Sequence, residues 1–187
     1  MPVRAFGPSR IQAVLTLLLV AALALSGGCA RRAPVTEITP IKAANRADLE
    51  RQLLSRKPDV AQFRMRGPFA VIERADIEVA VPSGPRVLVD AFLCAEKAPL
   101  VILVHGHGNS KDDHAFQAMH LASWGMHSVT VQLPNQGPWI ANGKTLARLL
   151  QAIRRSPQIV DKRIDPEKII LVGHSFGATA EIGRAHV

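Results

Sequence analysis

The run Lys168-Ile169-Ile170-Leu171-Val172, followed at once by Gly173-His174-Ser175-Phe176-Gly177, constrains this chain more than any other stretch. The run is short, apolar and β-branched, which suits a buried parallel strand. Ala178-Thr179-Ala180 then begin a small-residue segment that can pack closely on a sheet as a helix. Between the two sits a serine flanked at both sides by glycine, the pattern of a sharp strand-to-helix turn. A serine hydroxyl is a poor nucleophile; it needs exposure, a base, and donors placed where negative charge develops. The turn meets the first and third needs, because it lifts Ser175 and leaves the amide of Phe176 at a helix N-terminus. The pentapeptide alone arises by chance in a chain of this length roughly once in twenty times. The strand before it and the small residues after it therefore carry the inference over an ordinary loop serine.

A second buried-strand pattern, Leu100-Val101-Ile102-Leu103-Val104, ends abruptly in His105-Gly106-His107-Gly108. Between the two turns, Asp112 or Asp113 is positioned to cap a helix with Ala115, Phe116, Met119 and Ala122 on its apolar face, and Gly125 stops it. Residues 127–133 alternate and are β-branched, which predicts a strand. Pro134-Asn135-Gln136-Gly137-Pro138 has loop chemistry. Leu146, Leu149, Leu150 and Ile153 fall at i, i+3, i+4 and i+7, which predicts a helix over about 144–155. Asp165-Pro166 punctuates the chain before the serine-bearing strand. Upstream, residues 70–81 and 86–93 read as two antiparallel strands joined by Pro82-Ser83-Gly84-Pro85.

With these elements in this order, residues 69–180 resemble the α/β-hydrolase family. The resemblance implies an α/β fold of which the chain carries the N-terminal half: a mostly parallel sheet with flanking helices. It implies that the His-Gly turn supplies one oxyanion donor, the backbone N–H of His107, and the residue after the nucleophile, Phe176, the other. Ser175 would be the nucleophile, with Gly173 and Gly177 shaping the elbow, in an esterase or lipase-like hydrolase acting on a small-molecule ester without a cofactor. The loop 133–137, Leu-Pro-Asn-Gln-Gly, departs from the Asp-x-Arg-Gly-like sequence common in related enzymes. In the family the acid and the histidine follow the nucleophile, so the earlier histidines are poor candidates for the base, and His186 lies too close to the elbow. The chain by itself is thus expected to be inactive. An acyltransferase, peptidase or thioesterase would use the same elbow, and a non-catalytic exported lipoprotein would keep the scaffold without the distal residues. Trp139, leaving the carboxyl end of a strand, is placed to line an acyl pocket or to anchor packing. His174, at the variable position of the elbow, is assigned no proton transfer.

The first 28 residues read as a targeting segment: Arg4 and Arg10, an uncharged apolar stretch over 11–25, and Ser26-Gly27-Gly28 before Cys29. They resemble a bacterial lipoprotein signal, which implies lipidation of Cys29 and anchoring in the cell envelope. An ordinary cleaved signal and an uncleaved membrane anchor fit the same residues. Residues 29–68 form a tether with a short basic helix over about 45–55, carrying Leu49, Leu53 and Leu54 on one side. The formal charge of +8 is concentrated there. Without a nucleic-acid motif or interleaved aromatics, it suits a solvated spacer or cap with some attraction to anionic lipid rather than nucleic acid.

Two cysteines leave Cys94 alone if Cys29 is acylated, so Cys94 reads as a small buried residue. His105-Gly106-His107 has the spacing of a zinc site, yet Asn109-Ser110 stand where the compact pattern needs Asp-His, so no metal is assigned. Lys111 stands where a dinucleotide fingerprint needs its third glycine, and no P-loop is present. Ile182-Gly183-Arg184-Ala185-His186-Val187 matches the translation of a common sequencing adapter, so residues 181–187 are expected to be non-native.

Overall fold

The computed structural model describes residues 38–55, 59–134 and 139–184. The segment read as a signal, Cys29, residues 135–138 after the fourth strand, and residues 185–187 lie outside them. The chain divides into two compact units, Met1–Pro68 and Phe69–Val187. Among the described residues no helix is long and apolar enough to cross a membrane.

In the first unit, α1 spans Arg46–Ser55. Asn45 caps it, its side chain accepting the Asp48 amide at 2.9 Å, while Asp48 Oδ2 accepts the Ala44 amide. Leu49 and Leu53, one turn apart, are buried, and Leu54 is exposed. The expected three-leucine face is therefore two residues wide.

The second unit holds a five-stranded sheet: β1 Ile72–Ala80, β2 Arg86–Leu93, β3 Ala98–Val104, β4 His127–Val131 and β5 Ile164–Gly173, in the order β1-β2-β4-β3-β5. β2 runs antiparallel to both β1 and β4, while β3 pairs in parallel with β4 and with β5. Four of the five strands thus point the same way. The register brings Val104 opposite both Val131 and Gly173, so the loops that follow β3, β4 and β5 open at one edge. Ligand sites of open α/β sheets form at such an edge.

Among its described residues the unit also holds three α-helices: α2 Ala115–Ser123, α3 Trp139–Arg155 and α4 Phe176–Arg184. Alternate strand residues divide the sheet into two faces. On one, Val87, Val89, Ala91, Leu100, Ile102, Val104, Val129 and Val131 pack with Leu146, Leu149, Leu150 and Ile153 of α3, as the helical spacing predicts. α3 begins five residues before the expected start, because Gly143 and buried Asn142 broke the apolar pattern without breaking the helix.

α2 departs further from expectation. A 3₁₀ turn over Lys111–His114 precedes it, and Ser110 is the cap, with Asp113 as its reciprocal partner in a capping box. α2 buries Ala118, Leu121 and Ala122, whereas Phe116 and Met119 are exposed. The helix is apolar on both stripes, so periodicity alone did not select the buried one. At its end Gly125, with φ 85°, donates to Ala122 O and Met126 to Leu121 O. These two bonds make a Schellman motif, which explains the stop at Gly125.

Asp165-Pro166 lies inside β5 instead of before it. The β3 to β5 register jumps from Ala98↔Ile164 to Leu100↔Ile169, so an irregularity absorbs the proline.

Before β5, Arg163 grips buried Asp161 with Nε at 2.7 Å and Nη2 at 2.9 Å. Arg74 from β1 approaches at 3.4 Å. The Arg163 hydrogen bonds outweigh the opposing burial and lower the Asp161 pKa to about 2. A depressed acid stabilises the fold above its unfolded value near 4 and loses that contribution as pH falls towards 2. Asp161→Asn is therefore expected to lower unfolding free energy at neutral pH by about 2 kcal/mol. In urea titrations the gap to wild type should close between roughly pH 4 and 2. A gap that persists at pH 2 would assign the effect to packing. Nearby, buried His127 accepts the Cys94 amide on Nδ1 and faces Arg163 O with Nε2. Burial lowers its pKa, so it is held neutral, and charging it below the ordinary histidine range destabilises the fold.

Candidate active site

The site is built where β5 ends. Its apolar residues carry the chain to Gly173, and His174 donates its amide to Val104 O at 3.0 Å, extending the pairing with β3 by one bond. Ser175 then adopts φ 51°. A left-handed backbone is unfavourable for a residue with a Cβ and persists only where its surroundings impose it. α4 starts immediately afterwards: Gly177 donates to His174 O at 2.9 Å and Ala178 to Ser175 O at 3.0 Å. The side chain of Ser175 stands exposed on the bend.

Both flanking glycines answer to packing. A Cβ on Gly173 would lie 2.6 Å from Ala178 N, and one on Gly177 would lie 2.5 Å from Val104 O and 2.6 Å from His105 O. The first turn of α4 therefore rests directly on the end of β3, with no room for a methyl group.

Facing the elbow is the loop after β3. Gly106 touches it: a Cβ there would stand 3.0 Å from His174 Nδ1 and 3.4 Å from Ser175 Cβ. The exposed ring of His107 meets the Phe176 ring edge-on, with centroids 5.9 Å apart. Among the described residues neither the His107 nor the Phe176 amide has a hydrogen-bond acceptor. The Phe176 amide also lies at the start of α4, where the helix dipole favours negative charge.

The residues Ser175, His107, Phe176, Gly173 and Gly177 thus assemble on adjacent ends of β3 and β5. Cys29 lies outside the described residues, and Trp139 opens α3. Among the described residues Ser175 Oγ has no hydrogen-bond partner, and no three or more His, Cys, Asp or Glu side chains group as a metal site. His105 is buried, with Nδ1 2.7 Å from Gly106 O and Nε2 accepting the Leu133 amide at 3.1 Å. That pairing employs its ring in holding the loop. The part played by Gly106 was not legible: it was visible as a turn residue, but the residues it faces follow another strand.

No family model matches the chain, and no curated protein matches it. Among solved structures it is similar to an epoxide hydrolase from an endophytic Streptomyces, at 20% identity over 63% of this chain and 33% of that one, with a TM-score of 0.44. It is also similar to the dienelactone hydrolase-like promiscuous phosphotriesterase P91 from metagenomic libraries, at 15% identity over 62% and 54% of the two chains, with a TM-score of 0.45. The chain spans about a third of the first structure and about half of the second. Its strand order, with helices on the sheet and a serine bend after β5, is that of the opening part of an α/β-hydrolase fold.

Proposed function

We propose that the full-length gene product is a serine hydrolase that cleaves carboxylic esters through an acyl-enzyme on Ser175. Ser175 Oγ attacks the carbonyl carbon, and the amides of His107 and Phe176 receive the charged oxygen. Collapse of the tetrahedral intermediate expels the alcohol, and water then releases the acid. The proton is carried by a histidine, oriented by a carboxylate, that the described residues do not supply. The observation that carries this reading is the exposed serine at φ 51° beside two amides without acceptors. A panel of p-nitrophenyl esters, run on the full-length protein and on Ser175→Ala, tests it. Equal turnover by the two forms would remove Ser175 from the reaction.

We propose further that the protein is exported and held in the bacterial envelope by lipid on Cys29, facing the periplasm or exterior. The cysteine after an apolar stretch and small residues supports this. Cells fed an alkyne-tagged palmitate should label the wild-type protein and leave Cys29→Ser unlabelled. Equal labelling of both would rule out that anchor.

A further inference from the structure

The loop bearing His107 is a poor candidate for rigidity by sequence. Residues 105–109 include Gly106 and Gly108, the latter at φ 75°, and glycine gives the backbone its greatest freedom. An oxyanion donor is useful only when it is held in place before the charge forms. Both ends of this loop are tied down by polar groups buried at the edge of the sheet.

At the first end, the His105 ring holds Gly106 O and the Leu133 amide, as described above. At the other end, Lys111 Nζ lies 2.7 Å from Asp90 Oδ2, and the two side chains are only 11% and 7% exposed. Asp76 and Asp112 each approach the same ammonium at 3.1 Å. Asp90 is itself fixed: its Oδ1 accepts the Asp76 amide at 2.7 Å, where Asp76, at φ 53°, sits in an irregularity of β1. Gln132 joins the two ends. Its Oε1 accepts the Lys111 amide at 3.1 Å, and its Nε2 stands 3.2 Å from His105 Nε2.

A buried ion pair contributes less to stability than well-packed apolar side chains of the same size often do. Its value here is directional. A lysine fixed by β1 and β2, and a glutamine fixed at the end of β4, define where the β3 loop leaves the sheet and where it returns.

We propose that Lys111, Asp90 and Gln132 are positioning residues that clamp residues 105–109 so that the His107 amide stays aimed at the developing oxyanion. The proposal rests on the reading of Ser175 as nucleophile. It places part of the machinery on β1 and β2, away from the elbow, and touches no substrate atom.

The test uses the full-length gene product. Gln132→Met removes the cross-tie without burying a charge. Lys111→Met alone strands the Asp90 carboxylate, so Lys111→Met/Asp90→Asn removes the pair together. Both variants are expected to lower kcat by about 10- to 100-fold, because small misplacements of catalytic groups cost this much, with KM close to wild type. Binding of a boronic acid that forms a tetrahedral adduct should weaken in parallel. Amide hydrogen exchange at Asn109 and Leu133, whose N–H groups donate to Gly106 O and His105 Nε2, should accelerate while β2 and β4 stay protected, which a general loss of stability would not produce. Unchanged exchange at Asn109 and Leu133 in both variants overturns the clamp, and faster exchange with unchanged kcat overturns its role in the reaction. Ser175→Ala in the same preparation separates the two ideas. If it retains turnover, the hydrolase reading falls, while the exchange data still decide whether the clamp holds the loop.

Discussion

Ser175→Ala is expected to reduce ester turnover of the full-length gene product by roughly 10⁴- to 10⁶-fold, the scale on which loss of a serine nucleophile acts. On the proposed mechanism, without Oγ no acyl-enzyme forms, and the amides of His107 and Phe176 can assist only direct attack by water. Stability should respond in the opposite sense to a related change. Ser175 stands at φ 51°, a conformation that strains any residue with a Cβ, so Ser175→Gly should stabilise the fold by about 1 kcal/mol while abolishing turnover as completely as alanine does. Thermal unfolding and steady-state kinetics on the three proteins measure both. A glycine variant less stable than wild type would mean that the serine side chain contributes packing or hydrogen bonds that outweigh the strain.

Gly177→Val is expected to have a large structural effect at the site. Its Cβ would fall 2.5 Å from Val104 O and 2.6 Å from His105 O. Both are backbone atoms of the end of β3 and of the loop that follows it, so no side-chain rotation relieves the overlap. α4 must lift from the sheet or β3 must shift, and either change separates the Phe176 amide from that of His107. The substitution should destabilise the protein by roughly 3 kcal/mol or more and lower turnover even in the fraction that remains folded. Gly177→Ala should already produce much of this change, since the offending atom is the Cβ itself. Equal melting temperatures for wild type and the valine variant would show that the helix does not rest on β3 as described.

These expectations depend on elements that differ in how plainly the chain announces them. The helix over Leu146, Leu149, Leu150 and Ile153 was legible because only one of its faces is apolar. The strand ending at Val172 was legible because β-branched residues run unbroken into a glycine. α2 was legible as a helix, but not in its orientation. Phe116 and Met119 make as good an apolar stripe as Ala118 and Leu121, and only packing in the fold selects between them. The place of Pro166 inside β5 was hidden for a similar reason: a proline reads as a breaker unless the strand is known to carry an irregularity there, as β5 does between its Ile164 and Ile169 pairings.

Local chemistry in the sequence by itself determined the elements that meet at the elbow: a buried strand, a glycine-flanked serine, and a helix start at Phe176. Those depend on neighbours in the chain, through β-branched crowding, glycine's missing Cβ and the open N-terminus of a helix. What only the tertiary structure decided is which distant groups share that bend. The contact of Gly106 with His174, the seating of Gly177 on Val104, and the link from Asp90 through Lys111 and Gln132 to His105 each join residues from different strands. Such pairings depend on sheet order and register, and these emerge from packing of the whole core rather than from any local pattern.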